Sequence, residues 1–326
     1  MFAVREATDA DRREIQTLIG EMIPGVDVAA RWNWLYETNP GGRALTWLAV
    51  APNGEVAGCT SFFPFRLWLD GAEVRAALGG DGFVRPAWRR RGIGGLLHDA
   101  SRRDMEKHRI GCMYGAPGAM NLTPLKHGGS REVGHVTRYV RPIRYGPSVA
   151  GELFARVAKP RFSALLHPLA PQDPRLDRVW SVAKHDLKLS AVRDAKFYTW
   201  RFREAPAQRE PAYVIEQDHE PIGACALESM RGGDELHIVD LVCARDHWHT
   251  CLRAIAAHAA EHTRARTASI KLFALDARVR RMWQSGFFER ESKPFLCMIP
   301  KNGDRRFVDP QRWFYTGADS DLDRLD

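Results

Sequence analysis

The sequence predicts a mixed α/β fold of the α+β kind, built from two tandem domains that each contain a mixed, mostly antiparallel sheet flanked by helices. Three observations predict it. The chain has 326 residues and 44% hydrophobic residues, enough for more than one core. Short runs with strand periodicity and turn signals alternate with amphipathic helical segments. The chain also repeats itself, with the second copy starting roughly halfway along its length.

The internal repeat consists of four matches that occur in the same order in both halves. The offset between matched segments falls slowly from 166 to 157 residues. The matches pair residues 34–40 with 200–206, 47–59 with 213–225, 81–84 with 240–243, and Gly129 with Gly286. Each copy therefore contains a helical entry, a hairpin, a strand, a helix and a further strand.

The repeat also sets the expected domain boundaries. The first domain is predicted to cover residues 1–145. A proline-rich connecting segment follows at residues 146–172. The second domain is predicted at residues 173–326, ending in an acidic tail, Asp319, Asp321 and Asp323, that we expect to be a solvated terminus.

Residues 81–95 predict an anion-binding turn in the first copy. They read Asp-Gly-Phe-Val-Arg-Pro-Ala-Trp-Arg-Arg-Arg-Gly-Ile-Gly-Gly, a short strand that enters an arginine- and glycine-rich turn and then a helix. Glycine lets the backbone approach an anion closely, and the start of a helix offers free N–H groups. The arginines add charge-assisted contacts. The turn therefore suits a pyrophosphate.

Two familiar phosphate loops do not fit this turn. A Walker loop needs Lys-Ser or Lys-Thr after its last glycine, whereas Gly95 is followed by two leucines. A dinucleotide fingerprint needs a third glycine where Leu97 stands. The pattern that fits is R-x-x-G-x-G, from Arg89 to Gly94. On this motif, and on the order of the elements around it, the chain resembles the GNAT family of acyl-CoA N-acyltransferases.

The resemblance covers nearly the whole chain as two tandem GNAT-like domains, and it implies acetyl-CoA as co-substrate. It implies that the turn holds the coenzyme A pyrophosphate and that the preceding strand pairs with the pantetheine arm. The backbone N–H of Gly82 would polarise the thioester carbonyl. The cofactor-binding residues implied are Gly82, Phe83, Val84, Arg89, Arg90, Arg91, Gly92, Ile93, Gly94 and Gly95.

The second copy lacks the glycine-rich turn. Its corresponding segment, residues 244–251, contains no glycine, and Asp246 adds a charge that repels anions. We therefore expect only the first copy to bind the cofactor. The second copy is expected to serve as scaffold and as one wall of the acceptor cleft.

Candidates for proton transfer are few. Asp81 is the nearest carboxylate to the expected thioester and is a candidate base, although Asp240 takes the same place in the second copy, which favours an architectural role. Many GNAT enzymes have a tyrosine four residues before the late glycine as the acid, and this chain has Leu125 there. Possible substitutes by position are Lys126, His127 and Tyr114, or protonation of the thiolate by water.

The composition limits the classes of binding partner that we expect for the protein. The net charge is +8 and the isoelectric point about 9.3, but the arginines are scattered and no nucleic-acid motif is present, which suits a polyanionic small molecule better. Six cysteines without a C-x-x-C pair, no signal peptide and no long apolar run predict a cytoplasmic protein without membrane contact. The pattern H-x-x-E-H at residues 258–262 matches a zinc motif, but lacks a third ligand, so we expect no metal.

The predicted function is transfer of an acyl group, expected to be acetyl, from coenzyme A to a primary amine of a small molecule by direct attack on the thioester. A nucleotide-linked amino sugar is one candidate acceptor, because a basic protein suits an anionic substrate. The alternative is a non-catalytic acyl-CoA-binding or regulatory GNAT-like protein. The oligomeric state cannot be predicted from the sequence.

Overall fold

A mixed β-sheet of 14 strands runs through the protein, with helices on both faces. The computed structural model describes residues 2–144, 164–206 and 211–320. The strands are β1 Ala3–Glu6, β2 Leu45–Val50, β3 Val56–Leu69, β4 Ala72–Val84, β5 Met113–Gly115, β6 Arg131–Pro142, β7 Ala164–Pro168, β8 Leu189–Ala191, β9 Ala212–Gln217, β10 Glu220–Met230, β11 Glu235–Cys243, β12 Thr267–Phe273, β13 Phe288–Met298 and β14 Tyr315–Thr316. The α-helices are α1 Arg12–Met22, α2 Val28–Arg31, α3 Ile93–Asp104, α4 Ala119–His127, α5 Pro174–Ala183, α6 Ala195–Phe202, α7 Trp248–His262 and α8 Ala277–Arg280.

The strand order reveals the duplication directly. Along the sheet the strands follow one another as β1-β2-β3-β4-β5-β13-β6-β12-β11-β10-β9-β7. The order that begins at β7 repeats the order that begins at β1. In this correspondence β7, β9, β10, β11, β12 and β13 of the second half take the places of β1, β2, β3, β4, β5 and β6 of the first half. The tandem arrangement of two similar units that the repeat predicted is therefore confirmed.

The two units exchange their last strands. Strand β13 pairs with β5 of the first half, with Leu296 opposite Gly115, and β6 pairs with β12 of the second half, with Ile270 opposite Tyr139. The exchanged strands also pair with each other, so the sheet continues from one half into the other. Because each half completes the sheet of its neighbour, separating them would break the ladders of β13 with β5, of β6 with β12 and of β6 with β13.

The proposed domain boundaries remain a prediction. Residues 145–163, most of the expected connecting segment, lie outside the described residues. The end of that segment forms strand β7, which pairs with β9 as β1 pairs with β2. The second unit therefore has its first described strand before residue 173.

The long hairpin of β3 and β4 turns at Asp70 and Gly71, which both have positive φ, 47° and 99°. The hairpin of β9 and β10 turns at Asp218 and His219, with φ of 52° and 68°. Two consecutive left-handed residues match the twist of the flanking strands, so both connections are tight.

The aromatic residues of the repeat form the core between the halves. Trp34 and Trp200 stack with ring centroids 5.1 Å apart, and each indole N–H donates to the other residue's carbonyl oxygen at 2.9 Å. On β2, Trp47 packs in a second cluster with Leu97 of α3, while the neighbouring Leu48 belongs to the larger core. Because side chains alternate along a strand, neighbouring residues of β2 pack against opposite faces of the sheet.

Candidate active site

Strands β4 and β5 separate and leave a gap in the first half. They pair in parallel only at Ala77 with Met113 and at Leu78 with Tyr114. Strand β4 continues to Val84 in its ladder with β3 on the other side. Within the described residues no strand covers this edge of β4 beyond Leu78. The edge is therefore available to pair with an extended ligand.

A β-bulge lies in β4 beside this gap. Ser61 of β3 is opposite Gly80, and Cys59 is opposite Phe83, so Asp81 and Gly82 share the space opposite Thr60. Asp81 has a φ of 44°, in the left-handed region that side chains other than glycine rarely adopt. The bulge redirects the backbone at Gly82, the residue whose N–H the resemblance implied would polarise the thioester carbonyl. Gly82 itself is exposed.

The carboxylate of Asp81 is buried and occupied by two partners. Nη2 of Arg31 lies 2.7 Å from Oδ1, and the hydroxyl of Tyr36 donates to Oδ2 at 2.8 Å. All three residues are no more than 6% exposed. Burial and the charge of Asp81 raise the pKa of Tyr36 well above its usual value. A carboxylate held by a guanidinium and a phenol is a poor acceptor for a substrate proton, which weighs against Asp81 as the base.

The same three residue types meet in the second half. Nε of Arg193 lies 3.0 Å from Oδ1 of Asp240, and the hydroxyl of Tyr198 donates to Oδ2 at 2.8 Å. Arginine and tyrosine stand five residues apart in both halves, with an offset of 162 residues between the copies. Sequence reasoning missed this pair, although its repeated spacing was a usable signal.

These contacts correct one match of the sequence repeat. Tyr36 corresponds in its interactions to Tyr198, an offset of 162, so the 166-residue match of Trp34 with Trp200 does not give the structural alignment of this segment. The two tryptophans instead contact each other between the halves. The match of Asp81 with Asp240 agrees with the structure, because each carboxylate contacts one arginine and one tyrosine.

The predicted anion-binding turn has an open backbone. After the 3-10 turn Pro86–Trp88, Arg90 and Gly92 take positive φ values of 62° and 78°, and α3 begins at Ile93. A Cβ atom placed on Gly94 or Gly95 would meet nothing within 4 Å. No acidic residue lies in the first turn of α3, and no side chain caps it. The positive end of the helix dipole is thus uncompensated at the turn.

Two of the arginines also shape the turn. Nε of Arg89 donates to the carbonyl oxygen of Val84 at 3.0 Å, and its guanidinium lies over the ring of Phe83 at 5.8 Å. The guanidinium of Arg91 lies over the ring of Trp88 at 5.1 Å. Both side chains remain exposed, so their remaining N–H groups can reach an anion.

The second half has no such turn. Its 3-10 turn, Arg245–His247, leads directly into α7 at Trp248, so the four residues 89–92 have no counterpart. The offset between the copies falls from 159 residues before the turn to 155 after it. The local backbone that would surround a pyrophosphate is missing.

The gap between β11 and β12 is filled by the chain's own C-terminal segment. Strand β14 pairs with β12, with Thr316 opposite Leu272. The hydroxyl of Thr316 donates to Asp240 at 2.6 Å, and a Cβ on Gly317 would lie 2.9 Å from the carbonyl oxygen of Val239. The first half therefore has an open gap and an open turn, whereas the second half has neither.

The prediction that Asp319 belongs to a solvated tail is wrong. Its side chain is buried, and Oδ2 lies 2.6 Å from Nη2 of Arg193. Asp319 is buried because it accepts a hydrogen bond from Arg193. A buried arginine that contacted only Asp240 would still have N–H donors without an acceptor. The other two acidic residues of the predicted tail, Asp321 and Asp323, lie outside the described residues.

The candidate acids do not converge on the gap. Leu125 packs against the smaller core, and Lys126 forms an ion pair with Glu132 at 2.6 Å. His127 is exposed at the end of α4. Tyr114 is 1% exposed, and its hydroxyl has no hydrogen-bond partner among the described residues. Burial raises the pKa of Tyr114, so it is a poor proton donor at neutral pH.

The zinc-like motif is incomplete in three dimensions. His258 and His262 have ring centroids 4.7 Å apart on α7. In the described residues, no three His, Cys, Asp or Glu side chains are placed to hold one metal ion. The described helices also include none that is long and apolar enough to cross a bilayer.

A basic cavity lies in the second half. Its lining includes His237, Lys271, Lys293 and Arg201. His237 is buried, and its Nδ1 is 2.9 Å from the hydroxyl oxygen of Ser269. Burial, followed by the charge of Lys271, lowers the pKa of His237 to about 4, although Glu235 opposes this.

We expect His237 to make the protein less stable as the pH falls from 7 to 5. The unfolded histidine binds a proton near pH 6.5, but the folded one only near pH 4, so its contribution to stability is present above pH 6.5 and lost as the pH falls towards 4. The loss over this range is about 2 kcal/mol. Urea unfolding of the wild type and His237→Gln at both pH values measures it. An equally steep pH dependence in the variant would contradict the assignment.

The scan of protein-family models and the search of curated proteins each found no match to the sequence. Solved structures do match over 92% of the chain, one of them with a TM-score of 0.69. They show that the protein has the fold of the GCN5-related N-acetyltransferases, as the resemblance implied, and two such units lie in tandem.

Three of these structures illustrate the likeness. A GCN5-related N-acetyltransferase from Anabaena variabilis ATCC 29413 matches with TM-score 0.69 and 16% identity, over 92% of this chain and 73% of that chain. A conserved protein from Enterococcus faecalis V583, a probable N-acyltransferase, matches with TM-score 0.67 and 13% identity over the same shares, 92% and 73%. A glucosamine N-acetyltransferase region of a fungal multi-domain β-N-acetylglucosaminidase matches with TM-score 0.58 and 14% identity, over 91% and 38%.

Proposed function

We propose that the protein is an acyl-CoA-dependent N-acyltransferase that uses acetyl-CoA and acylates a primary amine of a small molecule. The difference between the two halves is the observation that carries this proposal. A turn with three glycines and three arginines lies next to an open strand edge in the first half alone. The second half lacks the turn, and its gap is filled by Thr316 and Gly317.

The proposed cofactor site uses the turn and the strand edge together. The amides of residues 92–95 and the side chains of Arg89, Arg90 and Arg91 bind the pyrophosphate. The edge of β4 at Gly82, Phe83 and Val84 pairs with the amides of the pantetheine arm. This arrangement brings the thioester to the bulge, where the N–H of Gly82 polarises its carbonyl.

In the proposed reaction the unprotonated amine attacks the thioester carbon directly. A carbon–nitrogen bond forms, the carbon–sulfur bond breaks, and coenzyme A leaves as the thiolate. The attacking nitrogen gives up one proton to water, and the thiolate takes one from water. Asp81 is committed to Arg31 and Tyr36, and Leu125 occupies the usual place of the acid, so no described side chain is assigned to either transfer.

The acceptor we favour is an amino sugar, with a nucleotide-linked sugar as the leading candidate. The net charge of +8 favours an anionic substrate. A glucosamine N-acetyltransferase region of a fungal multi-domain β-N-acetylglucosaminidase has a similar fold. We propose a cytoplasmic location, since all six cysteines are free and buried.

The alternative, a non-catalytic acyl-CoA-binding or regulatory protein, is favoured by two observations. The chain has Leu125 in place of the acid, and the nearest carboxylate is engaged in a buried ion pair. Thiol release from acetyl-CoA across a panel of amino sugars, aminoglycosides and peptide amines, with calorimetry in parallel, separates the two. Turnover of an amine supports the enzyme, and tight binding without turnover on every amine supports the alternative.

A further inference from the structure

We propose that Tyr36 and Arg31 are positioning residues, which hold Asp81 so that the bulge of β4 presents Gly82 to the thioester. The proposal rests on the proposed function, because the role of Gly82 is part of it. It gives a function to a buried triad that the reaction itself does not use.

The bulge is strained and needs support. Asp81 is not a glycine, yet its φ is 44°. Such a conformation persists only where the surroundings hold it, and it often occurs at functional sites. The next residue is Gly82, whose N–H is the proposed donor to the carbonyl oxygen. A change in the backbone of Asp81 therefore moves that donor directly.

The support comes from both sides of the bulge. Arg31 and Tyr36 hold the side chain of Asp81, and the Cys59 thiol donates to its carbonyl oxygen at 3.4 Å. The hydroxyl of Tyr36 is also hydrogen-bonded to Ser61 at 3.2 Å, and Ser61 is opposite Gly80, which precedes the bulge. Tyr36 thus connects the carboxylate to the strand that fixes the register.

The second half provides a natural control. Tyr198 makes the same 2.8 Å hydrogen bond to Asp240. Asp240 is not among the residues with positive φ, and its carboxylate also accepts from Thr316. This triad lies beside a gap that is already filled. Removing the hydroxyl of Tyr198 also removes a hydrogen bond to a buried carboxylate, but no open ligand site lies next to it.

The test compares Tyr36→Phe with Tyr198→Phe. Both variants should lower the thermal midpoint, since each loses one hydrogen bond to a buried carboxylate, and Tyr36→Phe should lower it more because it also loses the bond to Ser61. Tyr36→Phe should lower kcat on the order of 10-fold to 100-fold, as expected for a misplaced donor, and should leave the Kd for coenzyme A nearly unchanged. Tyr198→Phe should keep the wild-type kcat. Equal kcat in both variants would overturn the proposal.

A second measurement does not depend on turnover. In protein labelled with ¹⁵N-glycine, the amide resonance of Gly82 should differ between the complexes with acetyl-CoA and with coenzyme A. Tyr36→Phe should abolish this difference, and Tyr198→Phe should keep it. If the wild type shows no difference, or Tyr36→Phe retains it, the positioning role is overturned. Failure of every amine to react, with the Gly82 difference intact, would instead count against the proposed function alone.

Discussion

Gly94→Val is expected to weaken binding of acetyl-CoA by about 100-fold or more, equivalent to about 2.7 kcal/mol. Gly94 lies in the first turn of α3, where a Cβ would meet no atom within 4 Å. The fold therefore accepts the larger side chain, and the branched methyl groups occupy the space proposed for the pyrophosphate. Calorimetric titration of acetyl-CoA into the variant measures the loss.

The control for Gly94→Val lies in the corresponding helix of the second half. Thr250 is in the first turn of α7, which has no glycine-rich turn before it. Thr250→Val should leave both the Kd for acetyl-CoA and the thermal midpoint near their wild-type values. Undiminished affinity in Gly94→Val, with an intact fold, would show that the cofactor does not bind at this turn.

Arg193→Ala is expected to have the largest effect on stability, a loss of about 3–5 kcal/mol in the free energy of unfolding. Arg193 is fully buried between the carboxylates of Asp240 and Asp319. Its removal leaves two negative charges in the core without a counter-charge, in addition to a cavity. The urea midpoint at pH 7 measures the loss.

A second substitution separates the charge effect from the cavity. Asp319→Asn in the Arg193→Ala background removes one of the two uncompensated charges and should recover part of the lost stability. If the double variant is less stable than Arg193→Ala, the carboxylates are not the cause of the loss.

The duplicated α+β fold and the shape of the turn could be predicted because their signals are local. Alternating strands, helix periodicity and the glycines of residues 92–95 appear in short windows of sequence, and Gly92 takes the positive φ that its residue type permits. The hairpin turn at Asp70 and Gly71 was missed although Asp-Gly is a strong hairpin signal.

The exchange of strands could not be predicted in the same way. Strands β6 and β13 have equivalent places in the repeat. The pattern of residues within each strand therefore does not determine whether it pairs with its own half or with the other half. Pairing is decided by contacts between residues far apart in the chain, such as Leu296 with Gly115. Periodicity carries no information about such a choice.

The buried ion pairs of Asp81 and Asp319 also join residues that are far apart in the sequence. Asp81 meets partners 45 and 50 residues upstream, and Asp319 reaches Arg193 over 126 residues. From sequence, Asp81 was a candidate base for which the repeat favoured an architectural role, and Asp319 was expected to be a solvated charge. In the structure both are buried ion-pair partners, because the halves place arginine next to them.

Binding stoichiometry tests whether the first half alone binds the cofactor. Calorimetric titration of acetyl-CoA into the full-length protein should give one molecule bound per chain, with the same result in Thr250→Val and almost complete loss in Gly94→Val. Two molecules per chain would show that the second half also binds the cofactor. No binding to the wild type would contradict the assignment of the first half as an acyl-CoA site.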